Sequence, residues 1–456
     1  MIEPVIAEVE ESAQAVSSSP AQSDNPMLPW QLFFPADTQY EGVAVSPFLD
    51  ERLQETSAPS ARRVQVMTGR PDLRGGGQDG LSGLVLLGAK GSRKQLRNAG
   101  FEGVYRYLAL PSIENPRWLL PVEQAHAAAV ATLPRMYKLS SRLLRLGLIA
   151  ALKFGTAPFR SRTITIATRQ EPAIVGAIAA LFPGRQVRLS FAAGTPGPMR
   201  KPTVVTLDRE GRALAFGKVA TSPVSEALVR NEALVLRAIS GASKLLPLAP
   251  RLLLEASCDG RTVVVTSSLG GSPIAAKFGR EQRRFFAALQ ADSVEPVSRN
   301  PFLARLERRV GRLEEEEAGR LLRSARLALA TAELPRTLMH GDATPWNMRR
   351  KQGAIAAFDW EYGVIDGLPV LDELHYRWHT RFLLDHRPVD AILQELDAAA
   401  GARSGLDEVQ SRALVDVFLV HGLTHRLEMG CGEDDELVIA YREALAPRTL
   451  TMEAPR

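Results

Sequence analysis

One stretch constrains this chain more than any other. Leu338-Met339-His340-Gly341-Asp342-Ala343-Thr344-Pro345-Trp346-Asn347 is followed shortly by Ala356-Ala357-Phe358-Asp359-Trp360-Glu361. Gly341 and Pro345 break the first segment, so it reads as a loop holding a carboxylate and, after four intervening residues, an amide. Ile355 to Phe358 is a short apolar run of the buried-strand kind, and Asp359 closes it. Any fold for this chain must therefore present a polar loop and then a strand whose end delivers a second carboxylate.

Those residue types meet a particular chemical demand. Phosphoryl transfer needs a carboxylate to orient and deprotonate the attacking hydroxyl, and oxygen ligands to hold magnesium on the phosphates. Taken singly, Asp342 and Asn347 also suit a turn and Asp359 a strand-end cap. Three elements in order, each in its expected setting, favour the chemistry. The pair HGDxxxxN and DWE resembles the aminoglycoside phosphotransferase and choline kinase superfamily, whose common motif is HGDLHxxN followed by IDWE. The resemblance implies a protein-kinase-like α+β fold with a small β-rich lobe and a large helical lobe. It implies Asp342 as catalytic base, His340 as a brace for the loop, and Asn347 and Asp359 as magnesium ligands. Asp366 to Asp372 resembles the GDPxxDLA segment of that family, with Asp372 in a structural role at a helix start. Thr344 stands where the family has its second histidine, so acceptor preference does not carry over.

Upstream, Thr203 to Leu207 and Ala213 to Val219 form a hairpin around Asp208-Arg209-Glu210-Gly211. Lys218 lies on its second strand and Glu232 on the following helix, Ser225 to Ile239. By resemblance, Lys218 contacts nucleotide phosphates and Glu232 is its ion-pair partner. Gly194 and Gly197 stand where a phosphate-covering loop is expected, although the stretch is not GxGxxG and ordinary turn glycines serve as well. Thr266 to Gly271 is placed as the hinge that meets adenine. Beyond about Ala275 the pattern is mostly helical, and the acceptor side falls to Glu361, Glu373, His375, Tyr376, Trp378 and His379. His375/His379 and His421/His425 share a four-residue spacing, but without an HExxH pattern neither pair reads as a zinc site.

The implied cofactors are ATP or GTP with Mg2+, and the implied acceptor is a hydroxyl of a sugar, an amino sugar or an amino alcohol. A second reading is a non-catalytic nucleotide-binding scaffold or regulator in a surface-polysaccharide assembly system, favoured by the poor glycine loop and opposed by the intact Asp342, Asn347 and Asp359. A separate stretch, Tyr105 to Trp118, bears on the N-terminal segment. That stretch resembles N-terminal regions of phosphotransferase-like proteins from bacterial surface-polysaccharide gene clusters. Its aromatic residues suit packing more than a sugar platform.

The organisation expected is a largely disordered tail and linker over 1–83, an N-terminal α/β segment of unassigned role over 84–170, and a kinase-like domain over 171–448. The small lobe of that domain covers about 171–270 and the helical lobe about 275–448. Two cysteines, far apart in 456 residues, support neither a disulfide framework nor a zinc site and suit a cytoplasmic protein. The net charge of +5 is modest for the length, so no nucleic-acid partner is expected. No apolar run is long enough to span a bilayer. The helix near Ser140 to Phe154, where Arg142, Arg145 and Lys153 flank leucines, fits either a membrane surface or internal packing. Oligomeric state leaves no signal in the sequence.

Overall fold

Alternating apolar residues along a run of short strands build the first half of the molecule. In the computed structural model the described residues are 27–43, 49, 51, 53, 62–68, 80–88, 92–133, 139–155, 157–194 and 199–453. Gly197, one of the two glycines proposed for a phosphate-covering loop, lies outside them. The chain divides into two compact units. One holds the residues up to Val229 together with Leu252–Ser268, and the other holds Arg230–Arg251 together with Leu269 onwards.

The first unit is organised on one sheet of eleven strands. In chain order these are β1 (Gln39–Val43), β2 (Arg63–Thr68), β3 (Leu81–Leu87), β4 (Gly103–Pro111), β5 (Pro116–Pro121), β6 (Thr163–Thr168), β7 (Arg188–Ala192), β8 (Thr203–Leu207), β9 (Ala213–Val219), β10 (Leu252–Cys258) and β11 (Arg261–Ser267). Their spatial order is β1-β2-β3-β6-β4-β5-β7-β8-β9-β11-β10. β1, β2 and β3 run parallel, and the remaining pairs are antiparallel.

Period-2 alternation sends successive residues to opposite faces, and this sheet buries both. Tyr107, Ala109, Leu119, Phe191 and Val204 join Trp30, Phe33 and the helix Ala173–Ala180 in one core. Leu108, Leu110, Trp118, Leu120 and Val205 join the helices Ala125–Thr132 and Leu139–Lys153 in another. The aromatic-rich stretch from Tyr105 to Trp118 is thus packing material.

The reading of 1–83 as tail and linker is corrected here. Pro29–Phe33 is a short helix with every residue buried, and β1 and β2 are strands of the sheet. Trp30 packs edge-on to Tyr40 and Phe33 against Phe191, at 5.6 and 5.1 Å between ring centroids. The second of these is a long-range contact that local composition does not reveal. The boundary drawn near residue 170 is corrected too, because the sheet runs across it through β5 and β7, paired at Trp118–Ala192 and Leu119–Phe191.

The helix Pro223–Ser240 carries the chain out of this unit. Its start is fixed by Ser222, whose Oγ accepts the backbone N–H of Ser225 at 3.1 Å.

The second unit is mainly helical. Its helices are Arg280–Ala288, Pro301–Arg312, Glu316–Ala328, Leu371–His379, Val389–Ser404, Glu408–Glu428 and Glu436–Glu453. Two small sheets accompany them: β12 (Ser272–Pro273), β15 (Met348–Lys351) and β16 (Ala354–Ala357) in one, and β13 (Gln290–Pro296), β14 (Glu333–Met339) and β17 (Val364–Gly367) in the other. Asn300 and Asp407 cap helix starts by accepting the N–H of Phe302 and Gln410. The core runs through Leu306, Leu322, Leu374, Leu414 and Phe418, with Trp378 stacked on Tyr441 at 4.9 Å. A strand-rich unit followed by a helical one, the latter interrupted by the β14-to-β17 segment, is the α+β fold of protein-kinase-like proteins, extended here at its N-terminal end. No helix among the described residues is long and apolar enough to cross a membrane.

Candidate active site

β14 ends at Met339 and releases the chain into the loop 340–347, after which β15 and β16 form a hairpin. The pairing of Met348 with Ala357 closes that hairpin, and the Phe358 N–H donates to the Asn347 carbonyl at 3.0 Å. The strand end carrying Asp359 is therefore returned to the end of the loop. Spacing in the sequence has become adjacency.

The loop is held by buried polar groups. His340 is fully buried, with 0% exposure. Its Nδ1 accepts the Asp342 N–H at 3.3 Å, which leaves the proton on Nε2 to donate to the Phe358 carbonyl at 2.9 Å. Trp360 packs against the imidazole at 4.6 Å. Asp372, near the start of the helix Leu371–His379, accepts the N–H groups of His340 and Gly341 at 2.6 and 3.0 Å. Burial raises its pKa to about 6, against the pull of those two donors. Gly341 is obligatory. Its φ is +79°, and a Cβ there would lie 2.2 Å from the Tyr362 carbonyl oxygen.

Asp342 keeps 32% of its side chain exposed. The Asn347 amide nitrogen donates to its Oδ2 at 2.8 Å and to its backbone carbonyl at 3.1 Å. That orientation turns the side-chain amide oxygen of Asn347 away from Asp342. His375 Nε2 lies 3.3 Å from Asp342 Oδ1. The His379 ring stacks on His375 at 3.9 Å and donates its Nδ1–H to the His375 carbonyl at 3.0 Å. Burial pushes the pKa of both imidazoles down to about 3. The His375 contact is thus a neutral N–H donated to a carboxylate. Desolvation raises the Asp342 pKa, opposed by His379, His340 and Asn347.

A second cluster gathers around Asp359. Asn231 donates its amide protons to the carbonyls of Glu361 and Gly363, at 2.9 and 3.0 Å. This ties the helix Pro223–Ser240 to the segment after Asp359. Carboxylate oxygens of Glu232, Asp359 and Glu361 consequently fall within 4.8 Å of one another. The set offers only hard oxygen ligands, chemically matched by the side-chain amide oxygen of Asn347, and it fits a small divalent cation.

The structure thus brings Glu232 and Asp359 together, and gathers His340, Asp342 and Asn347 in one loop. Lys218 and Gly194 belong to the first unit. Lys218 sits on β9 between Thr203 and Val264 of the neighbouring strands. Gly194 has φ +78°, and a Cβ there would meet the Lys201 carbonyl oxygen at 2.6 Å, so the turn requires glycine.

Several proposed acceptor residues prove to be packing. Tyr376 and Trp378 are fully buried, and Glu373 is buried in an ion pair with Arg377 at 2.9 Å. Glu361 belongs to the carboxylate cluster instead. His421 and His425 pack beside Arg309, Phe302 and Tyr362. Asn231 was missed, since an asparagine within a helix carries no signal of a partner 130 residues away.

A buried loop fixes a carboxylate beside an amide, and a hairpin returns Asp359 to its end, the arrangement expected from the resemblance to kinase-type phosphotransferases. The comparison with known families agrees. Residues 215–408 match the model of the phosphotransferase enzyme family. No curated protein sequence matches the chain. Among solved structures, it is similar to a thermostable mutant of aminoglycoside phosphotransferase APH(4)-Ia in ternary complex with ADP and hygromycin B, with 13% identity and a TM-score of 0.43 over 62% of this chain and all of that one. Amicoumacin kinase hAmiN, in complex with AMP-PNP, Ca2+ and Ami, shows 14% identity and a TM-score of 0.39 over 60% of this chain and 93% of its own. Plasmodium vivax ethanolamine kinase shows 11% identity and a TM-score of 0.33 over 57% and 81%.

Proposed function

We propose that the protein transfers the γ-phosphoryl group of ATP to a hydroxyl of a small polyhydroxylated molecule, with a sugar as the first candidate. One observation carries this reading: Asp342 is fixed by Asn347 and His375 while its carboxylate remains partly open to solvent. A group so placed accepts the proton of an incoming hydroxyl, and its raised pKa brings its basicity closer to that task. His375 orients the carboxylate. His340 and Asp372 hold the loop backbone, so the base stays in register as its charge changes.

Asn347 and Asp359, with Glu232 and Glu361 nearby, would hold Mg2+, and Lys218 with Gly194 would meet the phosphates of the nucleotide. When bound, the metal and nucleotide supply the phosphoryl group and neutralise charge developing on it.

A sugar is preferred over an amine-bearing acceptor because Glu373, the acid best placed in sequence to receive an ammonium group, is committed to Arg377. The donor beside the base, His375, is neutral and suits hydroxyl groups.

The test is magnesium-dependent transfer from ATP to a panel of sugars, aminoglycosides and amino alcohols, with the wild type and Asp342→Ala. Transfer to one acceptor class, reduced by about 10²–10⁴ in the variant, is expected. Nucleotide binding without transfer to any acceptor, unchanged in Asp342→Ala, would replace this reading with a regulatory scaffold.

A further inference from the structure

The helix Leu139–Lys153 has two apolar faces, and its own unit uses only one. Leu148 and Leu152 are buried in the core formed with Leu120, Ala128 and Phe159. Leu143 and Leu146 are 61% and 55% exposed, and Phe154, one residue past the helix, is 91% exposed. Ala150 is exposed as well. At about 100° per residue Leu143, Leu146 and Ala150 project within roughly 60° of one another, on the side opposite Leu148 and Leu152, and Phe154 follows directly from the helix end. Gly147 lies beside this stripe, and a Cβ added there would meet nothing within 4 Å. The face is open.

Charge indicates the occupant. Arg142 and Lys153 are exposed along one edge of the stripe. Between Glu123 and Glu171 the sequence holds eight Lys and Arg and not one Asp or Glu. A second copy of this face would meet like charge. Nucleic acid would gain nothing from the leucines, whereas an anionic bilayer rewards both features. The helix, 15 residues long, spans about 22 Å, shorter than the hydrocarbon core, so it suits lying in the interface rather than crossing it.

We propose that this face docks the protein on an anionic phospholipid surface, with Leu143, Leu146 and Phe154 entering the boundary between headgroups and acyl chains. The proposal stands independently of the phosphotransferase reading.

The test is flotation of the full chain with phosphatidylcholine vesicles, with and without phosphatidylglycerol. Three proteins are compared: the wild type, the triple variant Leu143→Gln/Leu146→Gln/Phe154→Ser, and the charge variant Arg142→Gln/Lys153→Gln. All five positions are exposed, and circular dichroism verifies that each protein is folded. The wild type should float with anionic vesicles and much less with neutral ones. The triple variant should need about tenfold more lipid or greater for half-binding. The charge variant should be weakened several-fold at low salt, with the gap closing as salt rises. The proposal is overturned if the wild type stays unbound with anionic vesicles or if the triple variant floats like the wild type. It is equally overturned if the wild type is a dimer that the triple variant dissolves, or if it binds nucleic acid through the charges alone.

Discussion

Replacing Asp372 by Asn separates two quantities that usually move together, the stability of the fold and the order of the reactive loop. The wild-type carboxylate accepts two buried N–H groups, from His340 and Gly341. An asparagine offers one oxygen and turns its NH2 towards the other donor, leaving a buried N–H unsatisfied at a cost of about 1–3 kcal/mol. The wild type carries a cost of its own. Its pKa rises from 3.8 to about 6 in the fold, and at about 1.4 kcal/mol per pH unit that gap makes the buried charge unfavourable by ~3 kcal/mol once both states are ionised. For an acid raised in this way, the folded state binds more protons than the unfolded state between the two values, so wild-type stability falls as pH rises through that window. The neutral amide is spared this loss. Asp372→Asn should therefore be clearly less stable than wild type near pH 5 and close to it, or slightly more stable, at pH 8. Denaturant unfolding at both values measures the difference. Transfer activity should fall at both, because one of the two peptide groups that fix the loop is released. A variant destabilised more at pH 8 than at pH 5 would refute the charge-burial reasoning. A variant with full activity would refute the role of Asp372 in holding the loop.

Other substitutions test neighbouring steps. Gly341→Ala forces a Cβ to within 2.2 Å of the Tyr362 carbonyl oxygen at positive φ, and should cost more than about 2 kcal/mol in chemical unfolding and abolish transfer. His375→Phe removes the N–H beside Asp342 and should lower kcat by about tenfold or more with little change in KM for the nucleotide, whereas His375→Gln should recover part of the loss in the same assay. Asn231→Ala frees the carbonyls of Glu361 and Gly363 and should weaken metal dependence, read as a higher Mg2+ concentration for half-maximal transfer, at about 1–2 kcal/mol in stability. Trp378→Ala empties a fully buried site stacked on Tyr441 and should cost about 3–5 kcal/mol in unfolding free energy.

The arrangement of Asp342, Asn347 and Asp359 was legible because it is local. Asp342 and Asn347 are joined by a five-residue offset, and a single hairpin returns Asp359, so order along the chain nearly reproduces order in space. The residues that hold this arrangement were harder to see. Asp372 was read as structural from the resemblance of its segment to that of the family, but its two N–H partners lie more than 30 residues upstream. The contact of His375 with Asp342 depends on where the helix Leu371–His379 packs. At the N-terminal end, β2 was missed although Val64 and Val66 alternate as a strand should. Two buried positions in six residues are too few to stand out, and the partners that bury them, β1 and β3, are also short. Trp30, Phe33 and Phe34 lie close to a Ser- and Ala-rich stretch, and composition there does not say that they complete a core begun more than 70 residues later at Tyr107 and Phe191.

The pairing of β5 with β7 means that the added N-terminal strands are not a removable module. A chain shortened to begin near Glu171, where family-based reasoning would cut, would strip β7 of its neighbour and leave an unpaired strand edge of the kind that recruits other chains. It would also uncover Phe191 and Val204, which lose Tyr107, Leu119 and Phe33 as cover. Such a fragment should aggregate rather than report on catalysis. In inheritance, the same joint ties the two stretches together: recombination between β5 and β7 would break a folding unit, so the extension and the strands that follow it are expected to be passed on as one piece.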